Sequence, residues 1–366
     1  MGLTAGIVGL PNIGKSTLFN AITKSEALVA NYPFATKDPN VGVVEVPDDR
    51  MITLVKMFEP RRTVYNTFSF TDIAGLVKGA SKGEGLGNQF LSNIREVNLI
   101  CHVARCFDDP DITHVEGEVD PVRDIEIVNT ELIMADLESV ESGITKVERK
   151  AKSKEKAAVV QLSALQKIRA LLLEGKPARV AELNKDEEEV MKSFHLLTVK
   201  PVIYVANMSE DDVADPESSA HYQAVKKLAD EEHAPVLPIC AKIEEELAGM
   251  DTEDKEMFLA DLGIERAGLD QIIQTAYEML GLRTFFTVGK DEVRAWTFHE
   301  GAKAPQCAGI IHTDFERGFI KAEVYSYDDL MTYGSEAGIK EAGKLRIEGK
   351  EYVVKDGDIV FFRFNV

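Results

Sequence analysis

The chain has 366 residues, with 42 Lys or Arg against 62 Asp or Glu, which gives a formal net charge of −20. This length is typical of two or three domains, and 45% hydrophobic residues are enough to form a buried core. The acidity argues against general coating of DNA, because phosphates would be repelled. No apolar run approaches the ~18 residues of a membrane helix, and the N-terminus lacks a signal-peptide pattern. The four cysteines form no C-x-x-C pair. We therefore expect a reduced, cytoplasmic protein.

The first part of the chain has the pattern of an α/β fold. An apolar run at 3–9 is followed by a glycine-rich turn and by helical spacing over 16–23. Strands are predicted at 41–46 and 67–72. The apolar run 99–107 predicts a strand buried on both faces, which is typical of a parallel sheet.

A long helical pattern interrupts this order. Residues 123–197 show little strand signal, and their apolar residues recur at helical spacing on both sides of a charged segment at 150–156. We predict a coiled-coil-like helical hairpin inserted into the α/β domain. Its lysine-rich segment has two interpretations, a solvated tip or a contact with a partner. The α/β pattern then resumes with strands at 201–207 and 236–241 and a helix at 268–280.

The last 84 residues form short β-branched and aromatic runs with one predicted helix at 326–333, the pattern of a small α+β domain. This region holds 12 basic and 14 acidic residues, so −18 of the net charge lies in residues 1–282. Basic and aromatic residues interleave at 294–298 and 317–321. They fit either RNA stacking or ordinary strands with alternate side chains buried, and we predict that Trp296 is a core residue.

Residues 9–16, Gly-Leu-Pro-Asn-Ile-Gly-Lys-Ser, match G-x-x-x-x-G-K-[ST] at every fixed position. Glycines let backbone N–H groups close around phosphates, and the following helix N-terminus attracts negative charge. Lys15 is expected to reach the β- and γ-phosphates, and the Ser16 hydroxyl to ligate Mg²⁺. The predicted nucleotide-binding residues of this P-loop are Asn12, Ile13, Gly14, Lys15, Ser16 and Thr17.

A second phosphate motif, Asp-Ile-Ala-Gly at 72–75, follows a predicted strand. Asp72 is placed to hold Mg²⁺ through a water, and the Gly75 N–H to contact the γ-phosphate. Thr36, in a turn-rich loop between the two motifs, is the expected second hydroxyl ligand for Mg²⁺; the alternative is an ordinary loop threonine. The glycine-rich segment 78–87 predicts a loop that orders when nucleotide binds.

The expected base site is Asn-Met-Ser-Glu at 207–210, where a guanine-specific site would have Asn-Lys-x-Asp. Asn207 suits the N7 acceptor and N6 amino group of adenine. Glu210 is too long to replace the Asp that binds guanine, and Met208 offers an apolar surface to the base. Residues 239–242 form the expected second base loop, with the Ala241 N–H near the purine. This site favours ATP over GTP.

With these motifs the chain resembles the YchF/Obg-like ATPase family, an ATP-preferring branch of the Obg-type P-loop GTPases. The matching segments are GLPNIGKST at 9–17, NYPFAT at 31–36, DIAGLVKGAS at 72–81, NMSE at 207–210 and KDGDIVFFRFNV at 355–366. The resemblance covers the whole chain. It implies an α/β P-loop NTPase domain with a helical insert and a C-terminal TGS domain of β-grasp fold. It also implies Mg²⁺-dependent hydrolysis of ATP to ADP and phosphate, and association with the 70S ribosome and its large subunit.

We place the nucleotide-binding domain at 1–122 and 198–282, the helical insert at 123–197 and the TGS domain at 283–366. Ribosomal RNA contact is expected through the TGS domain or the hairpin tip. The expected oligomeric state is a monomer, with no membrane partner.

The expected hydrolysis machinery departs from that of many P-loop GTPases, because Leu76 stands where a glutamine would orient the attacking water. Hydrolysis is therefore slow or uses another group. His114 matches in position the catalytic histidine proposed for the family; its alternative is a solvent-exposed loop histidine. Asn12 resembles the asparagine of potassium-activated relatives, and either ligates K⁺ or only stabilises its loop.

Three functions fit the sequence. The first is an ATPase that acts as a nucleotide-dependent switch on the ribosome. The second is a ribosome-binding module whose nucleotide is mainly structural, an alternative that Leu76 in place of glutamine keeps open. The third is a conventional GTPase of the Obg type.

Overall fold

The computed structural model describes residues 3–26, 40–73 and 86–365. Thr36, Gly75 and Leu76 lie outside these residues, so what the sequence predicts for them remains a prediction. No helix among the described residues is long and apolar enough to cross a membrane.

The chain forms two compact units. The first comprises Met1–Val44 and Ser69–Ile272, and the second Glu45–Phe68 and Ile273–Val366. This division differs from the predicted domain boundaries in two ways. The segment 45–68 belongs with the C-terminal residues, and the helical insert is not separated from the first unit.

A six-stranded sheet forms the centre of the first unit. With elements numbered in chain order, its strands are β1 (Thr4–Val8), β2 (Val41–Glu45), β4 (Thr67–Asp72), β5 (Leu99–Arg105), β6 (Val202–Asn207) and β7 (Val236–Ile239). Their order is β2-β4-β1-β5-β6-β7, and the pairs from β4 to β7 are parallel. Every residue of β5 and β6 is buried, as predicted for strands covered on both faces. The carboxyl ends of these strands therefore meet at one edge, where ligands bind in such sheets.

The helices of the first unit alternate with these strands along the chain or follow them. They are α1 (Lys15–Glu26), α3 (Leu86–Glu96), α4 (Pro121–Lys152), α5 (Lys156–Leu173), α6 (Lys185–Met191), α7 (Ala220–Glu231), α8 (Ala241–Leu247), α9 (Thr252–Asp261) and α10 (Gly268–Met279), whose end lies in the second unit.

The predicted helical hairpin is confirmed as α4 and α5, joined by a short turn at 153–155. The 32 residues of α4 span about 48 Å at 1.5 Å per residue. The helix begins at Pro121, after an Asp120 side chain that accepts from the Arg123 N–H, and basic residues occupy its last turn. The hairpin has its own apolar core, whose buried residues include Ile133, Val140, Val147, Ala158, Leu165, Ile168 and Leu172.

The second unit is built on another six-stranded sheet, of order β11-β10-β12-β8-β9-β3. Its elements are α2 (Asp49–Phe58), β3 (Arg62–Val64), β8 (Leu282–Thr287), β9 (Glu292–His299), α11 (Ala304–Ile311), α12 (Thr313–Arg317), β10 (Phe319–Ser326), α13 (Tyr327–Tyr333), α14 (Glu336–Glu341), β11 (Arg346–Glu348) and β12 (Asp358–Phe364). The predicted helix at 326–333 is α13. The sequence analysis did not predict α2, α11, α12 or α14.

Both faces of this sheet are covered. Phe285 and Phe286 are neighbours on β8 and point to opposite faces, each into a separate apolar cluster. Met51 of α2 belongs to the Phe286 cluster. Arg50 of the same helix donates to Asp356 at 2.7 Å and lies 5.1 Å from the centre of the Phe286 ring. These contacts explain why the segment 45–68 folds with the C-terminal residues.

Asp136, on α4, fixes the return of the chain from the hairpin to β6. It is 1% exposed and accepts three hydrogen bonds, from the Leu197 N–H at 2.8 Å, the Thr198 N–H at 2.7 Å and the Thr198 hydroxyl at 2.6 Å. Burial raises the pKa of this carboxyl, and the three bonds oppose that rise.

We therefore expect Asp136→Ala to lower the free energy of unfolding by about 3–5 kcal/mol, because it leaves three buried donors without an acceptor. Urea denaturation followed by circular dichroism measures this loss. Thr145→Ala, at an exposed position of the same helix, is the control and should change stability by less than about 0.5 kcal/mol. A loss below about 1 kcal/mol for Asp136→Ala would contradict this role of the carboxylate.

Candidate nucleotide-binding site

A cavity of about 1110 Å³ opens in the first unit. It is lined by the P-loop, Asp72, the loop after β5, the residues after β6 and the first residues of α8. These segments follow the carboxyl ends of neighbouring strands. The structure therefore brings the predicted phosphate and base residues to one cavity, apart from those outside the described residues and from Ile13, which is buried and does not line it.

The P-loop needs glycine at two positions. Gly9 has φ +151° and Gly14 has φ +97°, a region that favours residues without a side chain. A Cβ at Gly14 would also lie 2.1 Å from the Asn207 Nδ2 atom. The glycine lets the phosphate loop approach the end of β6.

Lys15 begins α1 and is 8% exposed. Its Nζ donates to the Leu10 carbonyl oxygen at 2.5 Å, so the ammonium folds back onto its own loop. Burial lowers the pKa of Lys15 to about 8, and the nearby Asp72 carboxylate opposes this shift. A ligand with negative charge would stabilise the ammonium form.

Asp72 ends β4 and lines the same cavity as Lys15 and Ser16. Its Oδ1 atom is buried and has no hydrogen-bond partner among the described residues. Burial raises the pKa of this carboxyl, while Lys15 lowers it. A carboxylate with an unused oxygen beside an exposed serine hydroxyl suits Mg²⁺, which is held by few protein ligands together with phosphates and waters.

No cluster of three or more His, Cys, Asp or Glu in the described chain could hold a metal by itself. Thr36, the predicted second hydroxyl ligand, lies outside the described residues.

Asn207, at the end of β6, joins the two halves of the site. Its Nδ2 donates to the Ile13 carbonyl at 2.8 Å, and its Oδ1 accepts from the Ala241 N–H at 3.0 Å. Ala241 lines the cavity, but its N–H already donates to Asn207, so its predicted place near the purine remains a prediction. The asparagine amide itself keeps one N–H and one lone pair for a base.

The other base-site residues are also engaged. Met208 is 1% exposed, and its N–H donates to the Ile239 carbonyl at 2.7 Å. The Glu210 carboxylate accepts from Lys242 Nζ at 2.5 Å. Glu210 therefore turns toward α8, as expected if it does not replace the guanine-binding aspartate.

His114 does not line the cavity. It is 6% exposed, so the alternative of a solvent-exposed loop histidine is wrong. Its Nδ1 accepts from the Glu116 N–H at 3.1 Å, so the proton lies on Nε2, which donates to Asp124 at 2.7 Å. In this arrangement both ring nitrogens are occupied.

The contacts that order the loop after β5 were not predicted from the sequence. The side-chain amide of Asn12 donates to the Thr113 carbonyl of this loop at 3.3 Å. Arg105 donates to three carbonyl oxygens of the same loop. An arginine inside the apolar run 99–107 was the available signal.

Comparison with known proteins agrees with this architecture. Residues 4–138 match the family model described as a 50S ribosome-binding GTPase, and residues 282–365 match a YchF GTPase C-terminal model described as a protein of unknown function. A protein of Bacillus subtilis is 59% identical and one of Escherichia coli O157:H7 is 50% identical, each over the full length of both chains. The chain belongs to the YchF family.

Both relatives carry the name ribosome-binding ATPase YchF. A solved structure, the YchF GTPase of Schizosaccharomyces pombe, is 42% identical with a TM-score of 0.88, covering 99% of this chain and 98% of that one. The YchF fold therefore applies to the whole chain. The first two names specify an ATPase and the third a GTPase, so the residues of the base site decide which nucleotide this chain prefers.

Because the pKa of the buried Lys15 is lowered to about 8, we expect nucleotide binding to be accompanied by uptake of a proton. At pH 8 a group of pKa about 8 is half protonated. Bound phosphates would raise that pKa, so binding should take up about half a proton. Calorimetric titration with ATP in two buffers of different ionisation enthalpy measures this uptake.

The uptake should disappear at pH 6, where Lys15 is already charged, and ATP affinity should fall as the pH rises above about 8. Lys15→Arg is the control, because its guanidinium stays charged throughout. Equal uptake in Lys15→Arg would assign the proton to another group.

Proposed function

We propose that this protein is a Mg²⁺-dependent ATPase that hydrolyses ATP to ADP and phosphate and acts as a nucleotide-dependent switch on the ribosome. The observation that carries the proposal is the phosphate site. Lys15 and the Asp72 oxygen, which has no hydrogen-bond partner among the described residues, share one cavity with the P-loop. The chain is also similar over its whole length to proteins named ribosome-binding ATPases.

ATP is favoured over GTP by the base site. Guanine recognition needs a carboxylate that accepts from its N1–H and N2 amino groups. The Glu210 carboxylate is instead bound to Lys242. The remaining N–H and lone pair of Asn207 suit N7 and N6 of adenine, and Met208 adds apolar surface in the cavity lining.

For hydrolysis, the residues of the chain bind and orient the nucleotide. Ser16, Asp72 and, by expectation, Thr36 would hold Mg²⁺, which neutralises charge on the phosphates. Lys15 would move from the Leu10 carbonyl to the β- and γ-phosphates. His114 is proposed to assist the attacking water, which requires it to leave Asp124.

The role of Asn12 is a tether rather than a potassium ligand in this proposal. Its side-chain amide donates to the Thr113 carbonyl, which links the P-loop to the loop after β5. This contact favours the loop-stabilising alternative.

The hairpin tip is the proposed contact with ribosomal RNA. Residues 146–156 hold six basic and two acidic side chains, and the charged ones are exposed, in a chain of net charge −20. Lysines at an exposed tip suit the phosphate backbone. In the C-terminal unit, by contrast, Trp296 is half-buried, stacks on Phe285 and donates its indole N–H to Thr287, so it packs against the apolar core. A ribosome partner implies a cytoplasmic location, and we propose a monomer.

One observation keeps the second function, a binding module with mainly structural nucleotide, as a candidate. His114 is buried outside the cavity, and Leu76 has no group that orients water. Such a protein would bind ATP without turning it over.

Single-turnover hydrolysis with and without ribosomes tests the proposal. We expect ribosomes to accelerate hydrolysis by the unchanged protein and Lys15→Ala to abolish it. His114→Ala should slow hydrolysis about 100-fold or more, the usual contribution of a general acid or base, with ATP affinity unchanged.

His299→Ala is the control, since His299 is exposed on β9 and does not line the cavity. Normal hydrolysis by His114→Ala would remove that residue from the mechanism. An unchanged protein that binds ATP but neither hydrolyses it nor responds to ribosomes would support the binding module instead.

A further inference from the structure

Arg105 is a buried arginine that has no acidic partner in the part of the chain that the structure describes. It ends β5 and is 1% exposed. Its Nε donates to the Phe107 carbonyl at 3.0 Å, its Nη1 to Ile112 at 2.9 Å and its Nη2 to Asp109 at 3.0 Å. Among the described residues, its hydrogen bonds go to main-chain carbonyl oxygens and to no carboxylate.

This arrangement is unusual, because burying a guanidinium removes its hydration and a carboxylate would normally offset that cost. The planar guanidinium presents its donors in fixed directions. Three carbonyl oxygens of residues 107–112 are therefore held in fixed positions around it. The guanidinium carbon also lies 4.7 Å from the centre of the Phe107 ring.

Besides Arg105, this loop is held by the Asn12 side-chain amide, which donates to the Thr113 carbonyl, and by the Ile112 and Asp111 N–H groups, which donate to Asp109. Residues 110–113 are exposed and belong to no helix or strand. An exposed loop without an apolar core is ordered mainly by its hydrogen bonds. The three hydrogen bonds from the Arg105 guanidinium therefore contribute much of the order of this segment.

The same loop forms a wall of the nucleotide cavity. Phe107, Asp108, Asp109 and Ile112 line it, whereas Arg105 does not. Arg105 also lies opposite Asn207 in the β5–β6 register. The residue that orders the wall is thus next to the residue that joins the P-loop to α8.

We propose that Arg105 is a positioning residue for nucleotide binding. It acts by fixing the carbonyl groups of residues 107–112, so that this loop stands as a preformed wall of the cavity. It does not contact the nucleotide. The inference rests on the proposed assignment of the cavity as the nucleotide site.

Two substitutions test the proposal. Arg105→Met keeps the apolar length of the side chain and removes all three donors, and Arg105→Lys retains the charge without the planar fork. Fluorescent ATP and ADP analogues give the dissociation constants, and hydrogen–deuterium exchange of the peptide containing 107–113 reports the order of the loop. We expect Arg105→Met to raise the dissociation constants of both nucleotides about 10-fold or more, because the entropic cost of ordering the loop would then be incurred when the nucleotide binds. Exchange of the loop should accelerate, and Arg105→Lys should be intermediate.

Arg179→Met is the matched control. Arg179 is a largely buried arginine of the same unit that donates to Glu232 at 2.5 Å and does not line the cavity. It should lower the thermal midpoint and leave both dissociation constants and the exchange of 107–113 unchanged. An equal loss of affinity in Arg179→Met would mean that any buried arginine has this effect, and would overturn the proposal.

Lys15→Ala separates this inference from the assignment of the site. If Lys15→Ala loses nucleotide binding but Arg105→Met binds normally, the positioning role is wrong and the site stands. If Lys15→Ala binds ATP normally, the site assignment itself fails. Should Arg105→Met not fold, Arg105→Lys decides: full affinity with unchanged loop exchange contradicts the proposal.

Discussion

The side-chain amide of Asn207 is the contact on which the nucleotide site depends. One hydrogen bond reaches the Ile13 carbonyl in the P-loop and another the Ala241 N–H at the start of α8. Asn207 is 4% exposed, so water does not replace these partners readily. The contact also explains Gly14, because any side chain there would meet the amide. A single residue at the end of a buried strand thus sets the distance between the phosphate loop and the base loop.

Near this contact, the site contains two buried polar groups that a bound ligand would stabilise. Lys15 is buried with a lowered pKa, and an oxygen of Asp72 is buried without a partner among the described residues. In an apolar protein interior such groups are costly. A nucleotide with Mg²⁺ would supply charge to the first and a ligand to the second. A nucleotide that binds the folded protein at these groups would therefore also stabilise it.

Local patterns predicted much of this structure. The P-loop motif, the strands buried on both faces and the helical hairpin all follow from spacing within short windows. Contacts between residues that are distant in the sequence could not be predicted in this way. The segment 45–68 gives no local sign that it folds with the C-terminal sheet, and nothing near His114 in the sequence predicts its burial against Asp124. Arg105 is an intermediate case. The sequence shows a charged residue within an apolar strand, but its three carbonyl partners could be identified only from the structure.

The choice of nucleotide is the central claim, since every functional step starts from it. It depends on Glu210, whose carboxylate pairs with Lys242, and on the remaining hydrogen-bonding capacity of Asn207. The most direct measurement is equilibrium displacement of one fluorescent nucleotide analogue by ATP and by GTP under identical Mg²⁺ and salt. A good bidentate base contact discriminates by about 1–3 kcal/mol, so ATP should compete about 10-fold or more better than GTP. Equal or stronger competition by GTP would contradict the account.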